Sequence, residues 1–267
     1  MRLAYLGTPA IAVPPLEALV AAGHDVALVV TGADKRRGRG TQTSPSPVKQ
    51  AANRFGIPVS HLVDDVIGVG AELGVVVAFG RLIKPHVLAE LAMVNLHFSL
   101  LPRWRGAAPV ERALLAGDTV TGVCVMAVEE GLDTGGVYAR VEVRIGPAAT
   151  LDELRDELVQ VGTRLLVDTL DAGLDEPEPQ RGDVTYASKI DPAELRIDWS
   201  RAPEEIDRLV RVGDAWTTFR GARVKINAAR LSDGALVPTV VQPEGKRPMS
   251  YEAWRNGARP SAGEWFE

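Results

Sequence analysis

The sequence predicts an α/β protein: a larger domain on a mostly parallel sheet, a linker, and a small β-rich tail. Three observations carry this expectation. The first 30 residues run strand, turn, helix, strand. Segments such as LGVVVAF are continuously apolar rather than alternating, as expected of strands in a sheet covered on both faces. Beyond about Leu170 the strand–helix rhythm stops, and short strand candidates separated by glycines take over.

The elements follow in order. RLAYLG (residues 2–7) is an apolar strand ending at Gly7. Thr8-Pro9 opens a helix whose apolar face includes Val13, Leu16, Leu19 and Val20, with Gly23 as its stop and DVALVV as the next strand. Residues 32–46 are polar and without period. Ser46-Pro47 then starts a helix to about Phe55, with proline at the first helical position, where its missing N–H costs little. LGVVVAFG is a buried strand, KPHVLAELA a short helix and MVNLHF a further strand, and Pro109 to Ala116 reads as helix. TGVCVMAV and GVYARVEVRI are strands either side of EEGLDTGG. Thr150 opens a helix to about Leu170 that keeps the 3.6-residue period, with acids in its first turn. DAGLDEPEPQRGD is a Pro-rich acidic loop, TYASKIDPAELRIDWS an extended connector, and a helix lies near 203–212. The tail offers strands at WTTF, ARVKINAARL and ALVPTVVQ. The predicted division is a domain at 1–183, a linker at 184–202 and a small domain at 203–267.

Composition narrows the class. The 267 residues are 46% hydrophobic and 24% charged, ordinary for a soluble globular chain. No apolar run approaches a membrane span, and Gly7-Thr8-Pro9 interrupts any signal-peptide pattern, so no membrane partner is expected. The single cysteine, Cys124, rules out an intrachain disulfide and sits in GVCVMAV as a small buried hydrophobe. No Cys/His spacing suggests zinc, no metal is expected, and a reducing cytoplasm is the expected location. The net charge is −5, yet Asp34 to Lys49 carries five basic residues against one acidic. From Ile206 onward there are ten basic and seven acidic residues. Either region is a solvated surface or a phosphate contact.

The stretch VNLHFSLLPRWRG holds the first candidates for chemistry. On a strand, Asn95 and His97 point the same way, with Ser99 beyond them, at the carboxyl end where open α/β sheets place their sites. On its own this pair reads more readily as a hydrogen-bonded core histidine and its neighbour than as a site. GLDTGG supplies Asp133 among three glycines, read either as a turn aspartate or as a loop wrapping a ligand. Together the three groups suit acyl transfer without a nucleophilic Ser or Cys. A carboxylate orients an imidazole, and an amide and an imidazolium can both donate to a developing oxyanion.

HFSLLPRWRGAAPVERALLAGD followed by GLDTGG resembles the folate-dependent formyltransferases. LGTP at the start, GRG…SPSPVK, TYASKIDPAELRIDW and GKRPMSYEAWRNGARP resemble the branch whose acceptor is the α-amine of methionyl-initiator tRNA, used in translation initiation. The resemblance implies a Rossmann-like catalytic domain, an OB-like tail, and a trio of Asn95, His97 and Asp133. It implies 10-formyltetrahydrofolate as donor and co-substrate, held near Phe79, Gly80, Arg81, Leu82, Leu132 and Gly135. It also implies tRNA contact through the basic loop, at Lys35, Arg36, Arg37 and Arg39. The tail departs from that pattern: its first and last parts are joined and the middle strands are absent, which predicts an incomplete barrel with open edges. Arg220, Arg223, Lys225, Lys246 and Arg247 are the remaining candidate RNA contacts there, and a monomer is expected. The competing acceptor is an amino sugar or other small amine. A nucleotide-binding dehydrogenase is disfavoured because LGTPAIAV lacks GxGxxG. A non-catalytic RNA-binding module is disfavoured because all three candidate catalytic groups are present.

Overall fold

Leu3 to Gly7 are buried without a break and form β1 (Arg2–Gly7), an interior strand of a seven-stranded sheet. The computed structural model describes residues 1–36, 43–232 and 234–267. After β1 a short 3-10 turn leads into α1 (Val13–Ala21) and β2 (Asp25–Val30). The two-residue strands β3 (Lys35–Arg36) and β4 (Thr43–Ser44) pair with each other, ahead of α2 (Pro47–Arg54) and β5 (Val59–Ser60). β6 (Leu73–Val77), α3 (Pro85–Glu90), β7 (Met93–His97), β8 (Arg105–Gly106) and α4 (Pro109–Ala116) follow. Then come β9 (Val120–Ala127), β10 (Val137–Arg144), α5 (Leu151–Ala172) and β11 (Tyr186–Ala187).

The sheet order is β10-β9-β7-β6-β1-β2-β5. β5, β2, β1, β6 and β7 run parallel, while β9 and β10 are antiparallel. All five residues of β6 are buried, which explains their unbroken apolar character. Tyr5 is fully buried too; its hydroxyl donates to the Ala12 carbonyl at 2.5 Å, and burial pushes the phenol well above its usual pKa. On α1, Leu16 and Leu19 are buried as expected, whereas Val13 and Val20 are only half-buried.

The helix starts follow their sequence signals. The Ser46 hydroxyl accepts from the Lys49 N–H at 3.0 Å, with Pro47 at the first helical position. Thr150 and Glu153 form a capping box: the Thr150 N–H donates to the Glu153 carboxylate at 2.9 Å, and the Glu153 N–H donates back to the Thr150 hydroxyl at 3.3 Å. These bonds hold the Glu153 carboxyl below its usual range.

The chain divides into two units. The first is Met1–Pro109, Val120–Arg144 and Arg155–Ala187; the second is Val110–Thr119, Ile145–Leu154 and Ser188–Glu267. The second unit contains α6 (Pro203–Val212), β12 (Trp216–Phe219), β13 (Ala222–Ser232), β14 (Ala235–Pro243), β15 (Met249–Ser250) and α7 (Tyr251–Ala258). Its sheet is a four-stranded antiparallel meander in the order β12-β13-β14-β15. Ile206, Leu209 and Val210 of α6 pack into one core with Phe219, Val224, Ile226, Val241, Trp254 and Phe266. Rings cluster in this core: Trp199 stacks on Phe266 at 5.6 Å, and Phe219 meets Trp254 edge-on at 4.9 Å.

The open edge predicted for the tail is covered on the β12 side. Ile197 N–H donates to the Trp216 carbonyl at 2.7 Å, and Thr218 exchanges backbone hydrogen bonds with Glu267. α7 was not anticipated from the sequence. Ser250 caps it by accepting from the Ala253 N–H at 3.2 Å, and Trp254 anchors it in the core. No helix among the described residues is long and apolar enough to cross a membrane.

Candidate active site

The site is built where β7 ends. Asn95 and His97 alternate with the buried Val94 and Leu96, so they share a face. Asn95 is half-buried, and its side chain makes no hydrogen bond among the described residues, leaving its amide available. His97 is buried, and its Nε2 lies 2.9 Å from the Trp104 carbonyl. A carbonyl only accepts, so Nε2 carries a proton, and a neutral ring keeps its lone pair on Nδ1. Nδ1 is 3.7 Å from Asp133 Oδ2, close enough for electrostatic attraction and too long for a direct hydrogen bond.

The backbone that holds these groups is unusual. Trp104 has φ +64°, the left-handed region that a side chain rarely adopts. This conformation accompanies the contact of its carbonyl with His97, and its N–H donates to the Thr185 hydroxyl at 2.9 Å. The Gly106 N–H donates to Asp133 Oδ2 at 2.7 Å. Gly106 has φ +120°, and a Cβ there would stand 2.8 Å from the Ala187 carbonyl, because β8 pairs closely with β11. Asp133 itself is left-handed, at φ +51°. A Cβ on Gly135 would sit 2.0 Å from the Ala127 carbonyl, so this loop closes only with glycine at that position. Ser99 is buried and donates to the Arg103 carbonyl at 2.6 Å, so its hydroxyl is engaged in the turn after β7.

The segment expected near the folate turns sharply after β6, with Ala78 at φ +45° and Gly80 at φ +68°. The Phe79 side chain points into the core beside Ile83 and Val87. Arg81 lies over the Phe79 ring at 5.2 Å and donates to the His61 carbonyl at 2.8 Å. Leu82 and Leu132 are 79% and 61% exposed, and both belong to loops in the first unit.

The basic loop is only partly described. Lys35 is exposed on β3, and Lys49 is paired with Asp34 at 2.9 Å. Arg37 and Arg39 lie outside the described residues, as does the side chain of Arg36. In the tail, Arg220 is held by Glu264 and Lys225 by Asp214. Arg223 lies over the Trp216 ring at 4.3 Å, and Lys246 and Arg247 are exposed. Cys124 pairs in register with His97 on β9 and is buried, and burial pushes its thiol pKa up.

Trp104, Gly106, Gln180 and Thr185 escaped the sequence reading as site residues. Trp104 and Gly106 sat in the quoted motif, but nothing local marked their backbone groups as the partners of His97 and Asp133. Gln180 and Thr185 lie in or beside a Pro-rich loop with no period, and they reach the site only through tertiary contacts.

Two polar groups at the end of an interior strand and a carboxylate on a neighbouring loop, on a mostly parallel sheet with an antiparallel extension, are an arrangement suited to group transfer of the acyl-transfer kind. The formyl transferase family matches residues 1–170, and the chain belongs to it. It is 47% identical over 261 residues to a methionyl-tRNA formyltransferase of Roseobacter denitrificans, covering 91% of this chain and 85% of that one. A methionyl-tRNA formyltransferase of Jannaschia sp. is 40% identical over 302 positions, with both chains fully covered. Against 267 residues here, that alignment leaves about 35 positions of the relative without a counterpart. Among solved structures, an N-formyltransferase of Helicobacter canadensis, in complex with folinic acid and dTDP-3-aminofucose, shares the fold. Its TM-score is 0.69 at 18% identity, over 86% of this chain and 88% of that one. A methionyl-tRNA formyltransferase from Clostridium thermocellum matches with a TM-score of 0.63 at 14% identity, over 91% and 98% of the two chains.

Proposed function

We propose that this protein transfers the formyl group of 10-formyltetrahydrofolate to the α-amine of methionyl-initiator tRNA. The observation that carries this reading is the likeness to methionyl-tRNA formyltransferases over most of their length, in a chain whose Asn95, His97 and Asp133 converge beside one strand end. The single buried thiol suits a reducing cytoplasm.

The roles follow from the hydrogen-bonding inventory. The neutral amine attacks the formyl carbon, and the Asn95 amide donates to the formyl oxygen as it gains negative charge. His97, with its proton on Nε2 given to Trp104, has no second N–H to offer at that moment. Its Nδ1 lone pair instead takes the proton lost by the amine, and the Asp133 carboxylate stabilises the resulting imidazolium. Nδ1–H then delivers the proton to N10 as the bond between carbon and N10 breaks. The products are a formylated amine and an N10–H folate, so atoms and charge balance. The sequence-based expectation is that Asn95 and His97 can both donate to the developing oxyanion; in this order Asn95 donates and His97 carries the proton. Phe79 contributes backbone groups and shape to the donor site, because its ring faces the core, while Leu82 and Leu132 offer exposed apolar surface.

The test supplies purified protein with 10-formyltetrahydrofolate and methionyl-initiator tRNA, then with a panel of amino sugars. Formylated methionyl-tRNA is the expected product. Sugar turnover without tRNA formylation would overturn the acceptor and leave folate-dependent transfer standing.

A further inference from the structure

We propose that Gln180 is a positioning residue for the reaction, acting through the loop that carries Asp133. The proposal rests on the reading that Asp133 works with His97. Gln180 Nε2 donates to the carbonyls of both Asp133 and Gly135, each at 2.8 Å. Its Oε1 accepts from Arg105 Nε at 3.1 Å and from Nη2 at 2.6 Å. The chemistry allows one orientation of this amide: arginine offers only donors, and backbone carbonyls only accept. Among side chains, only a carboxamide presents two donors on one side and an acceptor on the other, and asparagine is one methylene shorter.

The two carbonyls flank Thr134, so one NH2 group fixes two peptide planes around Asp133. The loop needs such a clamp. Asp133 is held at φ +51°, which costs free energy for a residue with a Cβ. On its other side Asp133 takes a single backbone N–H, from Gly106. Arg105 and Gly106 are adjacent residues of β8, so the Arg105 side chain and the Gly106 backbone brace the loop from one strand. Gln180 connects the first of these to the loop carbonyls. Without it, Asp133 keeps the Gly106 contact while the peptide planes that aim its carboxylate at His97 lose their partner.

The test compares Gln180→Glu and Gln180→Met, each alone and combined with Asp133→Asn. Gln180→Glu keeps size and the Arg105 contact but turns an oxygen toward the two carbonyls, and Gln180→Met removes every polar contact. Circular dichroism and thermal melts set the folded fraction, and kcat is taken per folded molecule. Each single variant is expected to lower kcat by about tenfold to a hundredfold, as for other residues that orient a functional side chain by hydrogen bonding to it or its backbone. In the Asp133→Asn background the same changes are expected to lower kcat by less than about threefold, because coupled residues are not additive. Wild-type kcat in both single variants, or the same loss in both backgrounds, overturns the positioning role. Normal turnover in Asp133→Asn alone sinks the reading of Asp133 and this proposal with it.

Discussion

In the first unit the polar groups at the end of β7 are held through backbone atoms: the Trp104 carbonyl for His97 and the Gly106 N–H for Asp133. In the second unit some of the charged groups hold one another at the surface, as in Arg220 with Glu264 and Lys225 with Asp214. Backbone partners are anchored by the strands on either side and so fix geometry to a fraction of an ångström. Exposed ion pairs contribute little and tolerate movement. The first arrangement suits a site that must present a lone pair and an amide in register. The second unit packs a cluster of rings into an aliphatic core, and its side-chain pairs occupy two of the five tail cations considered as RNA contacts.

The contrast is open to attack at three points. The largest effect is expected from Trp254→Ala, which removes a ring packed against Phe219, Tyr251 and Phe266. Urea unfolding should register a loss of about 3–5 kcal/mol. A cost under about 1 kcal/mol would show that the rings are not what holds the second unit. Next, Asn95→Ala, His97→Ala and Asp133→Ala should each lower kcat at least about a hundredfold, equivalent to about 2.7 kcal/mol in the barrier. Circular dichroism should show that all three fold, and near-normal turnover in the His97 variant would remove it from the mechanism.

The smallest effect concerns pH. The Arg220 guanidinium, with the Ser261 N–H, holds the half-buried Glu264 carboxyl at about 2, below its ordinary 4.5. A carboxyl depressed on folding adds stability above its unfolded pKa and loses it as pH falls through the folded one. Glu264→Gln should therefore flatten the fall in unfolding midpoint between about pH 4.5 and pH 2. Solvent screening keeps the difference small. Superimposable profiles for the two proteins would detach that pair from acid stability.

Much of the fold was legible because its signals are local. Ser46-Pro47, Thr150 with Glu153, and the unbroken apolar run of β6 each state their structure within a few residues. α7 was missed although Ser250, Glu252 and Arg255 mark its cap and its two charged ends, because that stretch was read only for its resemblance. For the site, alternation along β7 placed Asn95 and His97 on one face, and the glycines around Asp133 pointed to a tightly wound loop. The partners of His97 and Asp133 were not legible. Trp104, Gly106 and Gln180 act through a carbonyl, an N–H and a side chain in an aperiodic loop, and sequence pattern carries no information on where those atoms point.

The sequence by itself therefore determined the α/β class, the order of the major elements, three candidates for the reacting groups and the family the chain belongs to. Periodicity, capping and turn chemistry are short-range effects written in neighbouring residues. Tertiary structure decided which nitrogen of His97 carries the proton, and that Asp133 stands at 3.7 Å rather than in hydrogen-bond contact. It decided that a glutamine 47 residues further along the chain clamps the Asp133 loop. It also decided which tail cations are already paired and that the β12 edge is covered. Each of these depends on the direction of a donor or acceptor brought in from a distant part of the chain, and only the folded backbone sets that direction.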